Sequence, residues 1–197
     1  MKRLIFVFCA LAVVASAAFA DVPDPSKCVC TLDGANRLLI VPNSPVYAGA
    51  TFTLTIRNAA NNAINNATVE ILVGGLTDSK THICAGQLTT GVTNASGVVV
   101  FNIGGGGCLK AANACVIRAN GTEVRNYGAV MSPDYAGTDN TGQANRWNMQ
   151  VNLADFSSFS TAYAAGVASC HDYDNNGVMA LGDFSVFGNC YGKVCTP

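Results

Sequence analysis

At Ser132 the spacing of apolar residues changes from two to nearly four, so the chain on either side of it belongs to different kinds of secondary structure. Before it lie short runs rich in β-branched residues: RLLIV at 37–41, TFTLTIR at 51–57, ATVEILV at 67–73, GVVVFNI at 97–103, CVIRA at 115–119 and a stretch from Glu123 to Val130. Turn residues bound each of them, as in NAANN at 58–62 and TNASG at 93–97. TFTLTIR alternates strictly, with Phe52, Leu54 and Ile56 on one face and Thr51, Thr53, Thr55 and Arg57 on the other, the pattern of a half-buried strand. The expectation is a mainly β fold, with a β-sandwich of about seven strands over residues 21–131. The glycines at 104–107 are followed by neither a Gly-Lys-Ser/Thr motif nor a helix pattern, so they read as a flexible hairpin loop and not a phosphate cradle.

After Ser132, in the second unit (132–197), VNLADFSSFSTAYAAG (151–166) and MALGDFSVFGNCYGKV (179–194) are one pattern written twice. Leu153, Asp155, Phe156, Ser157, Phe159 and Tyr163 recur 28 residues later as Leu181, Asp183, Phe184, Ser185, Phe187 and Tyr191. Neither short helix buries an aromatic stripe alone, so two antiparallel helices sharing one small core are expected, with the aromatics inside it.

Ahead of the second helix stands DYDNNGVMALGD (172–183). With Asp172 at position one, Asp174 falls at three, Asn176 at five, Gly177 at the sharp turn at six, Val178 at seven and Asp183 at twelve, the spacing of a calcium loop. Alternate side chains of such a loop point oxygens inward, and the residue at seven lends its carbonyl. The same count back from Asp155 puts Ala144, Arg146 and Asn148 at one, three and five, and a guanidinium cannot ligate a cation.

The first twenty residues have a basic start at Lys2 and Arg3, an apolar middle and small residues before Asp21, the form of a removable signal peptide over 1–20. Its removal would take Cys9 and leave nine basic against twelve acidic residues, too weak a field to attract nucleic acid or anionic lipid. No other segment could span a bilayer. Secretion or cell-surface placement is expected, and the eight remaining cysteines, Cys28, Cys30, Cys84, Cys108, Cys115, Cys170, Cys190 and Cys195, then argue for disulfides. The absence of a CxxC pair and the presence of only two histidines, His82 and His171, argue against zinc. Five cysteines precede Ser132 and three follow it; if all eight are oxidised within the chain, at least one bridge crosses between the halves. Cys108–Cys115 and Cys170–Cys190 are the expected local pairs.

TFTLTIRNAANNAINNATVEILV followed by TTGVTNASGVVVFNI resembles the bacterial immunoglobulin-like, carboxypeptidase-regulatory-like modules. That resemblance implies an immunoglobulin-like sandwich serving as spacer, adhesion or carbohydrate-associated scaffold, without chemistry of its own. The repeat pair from Ser132 to Tyr191 resembles the dockerin type I family, in which two EF-hand-like calcium loops each feed a short helix and the module anchors secreted enzymes to cohesin modules. The resemblance implies Ca2+, with Asp172, Asp174, Asn176 and Asp183 as side-chain ligands and Val178 as a carbonyl ligand. It also implies that Ser-Pro-Asp at 132–134 opens the first loop, enlarged by about ten residues, with Asp134 and Asp155 as ligands and Asp139 and Asn140 as substitutes. Trp147 is expected to pack locally within that enlarged loop.

Two functions follow as expectations. One is a secreted, non-catalytic calcium-binding scaffold or adhesion protein; the other is an anchoring module for a cohesin-like partner, with self-association as a further mode. Leu153-Ala154 and Leu181-Gly182 stand where dockerins commonly place hydroxyl residues, which leaves an apolar contact. An enzyme is not expected, because no nucleophile-elbow serine, HExxH pair or histidine–acid constellation is present.

Overall fold

The computed structural model describes residues 22–42, 46–137 and 142–196. The leader expected over 1–20, with Cys9, and the expected ligands Asp139 and Asn140 lie outside the described residues. The strands are β1 (Val29–Cys30), β2 (Leu38–Leu39), β3 (Thr51–Thr55), β4 (Thr68–Val73), β5 (Thr81–Ile83), β6 (Thr90–Val92), β7 (Val98–Asn102), β8 (Gly105–Ala119) and β9 (Thr122–Met131). Two helices follow, α1 (Leu153–Ala165) and α2 (Leu181–Cys190). The protein is therefore mainly β, a two-sheet sandwich with a small helical C-terminal part.

One sheet has the order β1-β3-β7 and the other β2-β9-β8-β4-β6, with β5 paired to the start of β8. The alternation of β3 sends Phe52 and Leu54 inward, where the register sets them opposite Phe101 and Val99 of β7. Phe52 and Phe101 stack with ring centroids 5.7 Å apart. Val69 and Ile71 from β4 and Cys115, Ile117 and Ala119 from β8 close the core from the other sheet. The pairing of Ala119 with Thr122 leaves Asn120-Gly121 as a two-residue turn. Their φ values of 47° and 78° are those of the primed turns that match strand twist.

The glycines at 105–107 are not a flexible loop. They form the buried beginning of β8, paired with β5. A Cβ on Gly105 would lie 2.3 Å from the His82 carbonyl oxygen, one on Gly106 2.2 Å from Asp134 Oδ2, and one on Gly107 2.1 Å from the Lys80 carbonyl oxygen. The run is bare because two neighbouring segments pass at backbone distance.

The helical part does not hang free from the sandwich. A second core joins Leu39, Val41, Ala129 and Met131 of the sandwich to Tyr135, Val151, Phe159, Cys170, Tyr173 and Phe187 of the tail. Two disulfides, Cys84–Cys195 and Cys108–Cys170, cross the same junction. Both expected local pairs are thereby corrected, since Cys108 and Cys170 are joined to each other. Cys28, Cys30, Cys115 and Cys190 are buried thiols and not bridge partners. They pack as small hydrophobes, and burial pushes Cys115 and Cys190 up to about 12, which leaves them inert. No helix among the described residues is long and apolar enough to cross a membrane.

Candidate metal centre and apolar helix face

Helix α2 begins where Asp183 Oδ2 accepts the Ala180 N–H at 2.9 Å, so one carboxylate both caps the helix and closes the preceding loop. Its Oδ1 accepts the Tyr173 N–H at 2.7 Å. Asp172, fully buried, accepts Asn176 N–H on Oδ1 at 3.1 Å and Gly177 N–H on Oδ2 at 2.9 Å. Gly177 has φ +89° and open space where a Cβ would go, so backbone conformation and not crowding requires glycine there. Asn176 Nδ2 donates to Asp174 at 2.8 Å, while its Oδ1 accepts the Val178 N–H at 2.8 Å.

The result is a convergence of three carboxylates. Ligand oxygens of Asp172, Asp174 and Asp183 all lie within 4.8 Å of one another, with Asp172 and Asp183 buried and Asp174 exposed. Two oxygens each about 2.4 Å from one ion can be no farther apart than that. Burial first, then the carboxylates of Asp174 and Asp183, push the Asp172 carboxyl above its ordinary range. The cluster could hold a metal ion, and an all-oxygen donor set selects a hard one.

The first repeat has the same skeleton with a different beginning. Asp134, fully buried, accepts Asn148 N–H on Oδ1 at 3.0 Å and Met149 N–H on Oδ2 at 2.8 Å. Gln150 N–H donates to Asn148 Oδ1 at 3.0 Å, as Val178 does to Asn176. Asp155 Oδ2 accepts Asn152 N–H at 2.9 Å and caps α1 as Asp183 caps α2. Met149, at φ +64°, stands where the second loop has Gly177. Asp134, and not Ala144, thus takes the opening position, and the extra residues enter between Tyr135 and Asn148.

No third acidic side chain joins Asp134 and Asp155 among the described residues. Burial pushes Asp134 up to about 7, with Asp155 adding to the rise, and burial pushes Asp155 up to about 6. Trp147 packs on the sandwich and not within its own loop. It stacks on His82 with centroids 4.4 Å apart and donates Nε1–H to the Ser79 carbonyl at 2.8 Å.

Only one aromatic of each helical stripe is fully in the core. Phe159 and Phe187 are buried and meet at 5.3 Å. The others are partly solvent-facing in repeat-matched pairs: Leu153 and Leu181 are 68% and 72% exposed, Phe156 and Phe184 38% and 44%, Tyr163 and Tyr191 43% and 54%. The expectation that the whole stripe is core is corrected, because two helices of this length bury only the row that faces the other helix and the sandwich.

These residues line two shallow grooves. One, of about 360 Å³, is formed by Leu153, Phe156, Phe184, Phe187, Gly188 and Tyr191. The other, of about 310 Å³, is formed by Phe156, Phe159, Ser160, Tyr163, Leu181 and Phe184. Every residue of one groove is the 28-residue counterpart of a residue in the other, and none is charged.

Two further features escaped sequence reasoning. His171 is buried, with Nε2 at 2.8 Å from Ser158 Oγ and 2.9 Å from the Gly137 carbonyl oxygen and Nδ1 at 3.1 Å from Tyr173 Oη. Burial lowers its pKa to about 4, so the ring is a neutral strut within the tail core. Arg37, just before β2, reaches across the junction and donates Nε–H to the Tyr173 carbonyl inside the acidic loop. No local pattern announces either contact. Comparison with protein-family models, with curated proteins and with solved structures finds no match.

Proposed function

We propose that this protein is a secreted, non-catalytic binding protein, in which a β-sandwich scaffold carries a calcium-organised helical end that docks onto a protein partner. The observation that carries this reading is the pair of repeat-related apolar grooves left open on α1 and α2. Apolar patches of this kind on a water-soluble surface mark sites of association. The uncharged lining suits a neutral, apolar partner surface, and the resemblance of the repeat pair to dockerins makes a cohesin-like module the first partner to try. The two bridges and the shared core support a rigid presentation of the face.

Calcium fits the second loop. Asp172, Asp174 and Asp183 supply carboxylate oxygens, Asn176 Oδ1 keeps a second lone pair, and Val178 follows the sharp turn at Gly177 with a carbonyl to lend. Bound there, the ion supplies charge neutralisation that lets three carboxylates share one turn ahead of α2. In the first loop Asp134 and Asp155 accept backbone amides as Asp172 and Asp183 do, but no third carboxylate joins them among the described residues, so that loop holds its shape through hydrogen bonds.

The test is binding of the intact oxidised protein, with calcium and with chelator, to immobilised cohesin-like modules and to an extracellular fraction. Leu153→Asp and Leu181→Asp should each weaken capture, and the double variant should abolish it while circular dichroism stays unchanged. Capture that survives the double variant would place the binding surface elsewhere. Self-association through the same face would appear in sedimentation as a dimer that the double variant dissolves.

A further inference from the structure

The acidic loop of the tail is not electrostatically closed on itself. Arg37 belongs to the sandwich, yet its Nε–H donates to the carbonyl of Tyr173, the residue between Asp172 and Asp174. A second contact holds the same two segments together, Asn175 Nδ2–H to the Ala35 carbonyl at 3.0 Å. Arg37 is half-buried beside the loop, and Asp33, four residues before it in the chain, is engaged by Arg125. Burial lowers the Arg37 pKa, and among the charges acting against that fall are Asp174 first and then Asp172 and Asp183.

We propose that Arg37 is a built-in counter-charge of the cation site, contributed by the sandwich, which sets how tightly the loop binds calcium. The inference rests on reading the Asp172–Asp183 loop as a calcium site. Three carboxylates and one guanidinium leave the empty loop with a net charge of two negative units, and a divalent ion brings it to neutrality. Without Arg37 the empty loop carries three negative charges, attracts the ion more strongly and repels itself more. Arg37 therefore lowers calcium affinity and at the same time steadies the cation-free loop, so that the helical end keeps its place on the sandwich in both states.

Calcium titration calorimetry on the intact oxidised protein tests this, with wild type, Arg37→Met, Arg37→Gln and Arg37→Lys compared. A unit charge facing a divalent ion across partly wet surface changes affinity by roughly fivefold to tenfold, so the Met and Gln variants should bind that much more tightly and with steeper salt dependence. Arg37→Lys, which keeps the charge and loses the fork, should stay within about twofold of wild type. In chelator the Met and Gln variants should melt below wild type, and calcium should close the difference. Wild type that binds while Met and Gln bind equally or more weakly overturns the role of Arg37 alone. Wild type that takes up no calcium overturns this proposal together with the cation-site reading.

Discussion

Asp134 and Asp172 make the same pair of hydrogen bonds in loops of different length. Each carboxylate spans two successive backbone amides, Asn148 and Met149 in one loop, Asn176 and Gly177 in the other. The second loop adds Asp174, whereas the first replaces that part with an insertion packed on the sandwich through Trp147. Calcium binding should therefore saturate at one tight site per chain in native mass spectrometry. Asp134→Asn should cost about 1–3 kcal/mol in urea unfolding, since the amide that replaces one oxygen turns a donor toward a backbone N–H. Two tight sites, or a neutral Asp134→Asn, would refute this division of roles.

Gly106 makes room for Asp134. An added methyl would sit 2.2 Å from Asp134 Oδ2 and 3.0 Å from Trp147 Cβ, so Gly106→Ala must displace the first loop from the sandwich. A loss of roughly 1–3 kcal/mol is expected, the range for overpacking a closed site. Gly34→Ala, where nothing lies within 4 Å of the added carbon, is the matched control and should change stability little.

The bridges Cys84–Cys195 and Cys108–Cys170 enclose segments with sequence separations of 111 and 62. Removing either pair by Cys→Ala substitution at both ends should cost about 2–5 kcal/mol. Non-reducing peptide mapping should recover those two links, with Cys28, Cys30, Cys115 and Cys190 alkylated only after denaturation. Linked peptides confined to one side of Ser132 would contradict the crossing arrangement.

Acid sensitivity on the sandwich side centres on Asp33. Burial alone would raise its carboxyl, but the hydrogen bonds from Arg125, Tyr127 and the Cys30 amide outweigh that effect and hold it below its ordinary value of 3.8. The stability this carboxylate contributes is present above its unfolded pKa and is lost as pH falls through the lower folded one. Asp33→Asn should lower stability at neutral pH and flatten the decline at acid pH in denaturation curves. An unchanged acid decline would show that other groups control it.

The long alternating strands were readable because β3, β4 and β7 bury one face each, and α1 and α2 because their repeat fixes the period. Strands of two or three residues such as β1, β5 and β6 carry too few side chains for any period, and their positions depend on partners distant in the chain. Gly105–Gly107 misled for a related reason: glycine reports either freedom or close approach, and only the neighbour decides. At the site, the spacing of the carboxylates from Asp172 to Asp183 is local and legible, while Arg37 meets Tyr173 across the junction of the sandwich and the helical part. The open grooves were hidden because an aromatic stripe does not state how much of itself the partner helix will cover.

Calorimetric melting of the intact oxidised protein, in calcium and in chelator, tests the account most directly. If the loop before α2 is held by calcium, saturating ion at about a hundredfold above its dissociation constant adds about 2.7 kcal/mol and raises the melting temperature by roughly 5–10 °C. Asp174→Ala should abolish that rise without losing the fold. Identical melting of wild type in calcium and in chelator would contradict the claim that a cation organises the helical end.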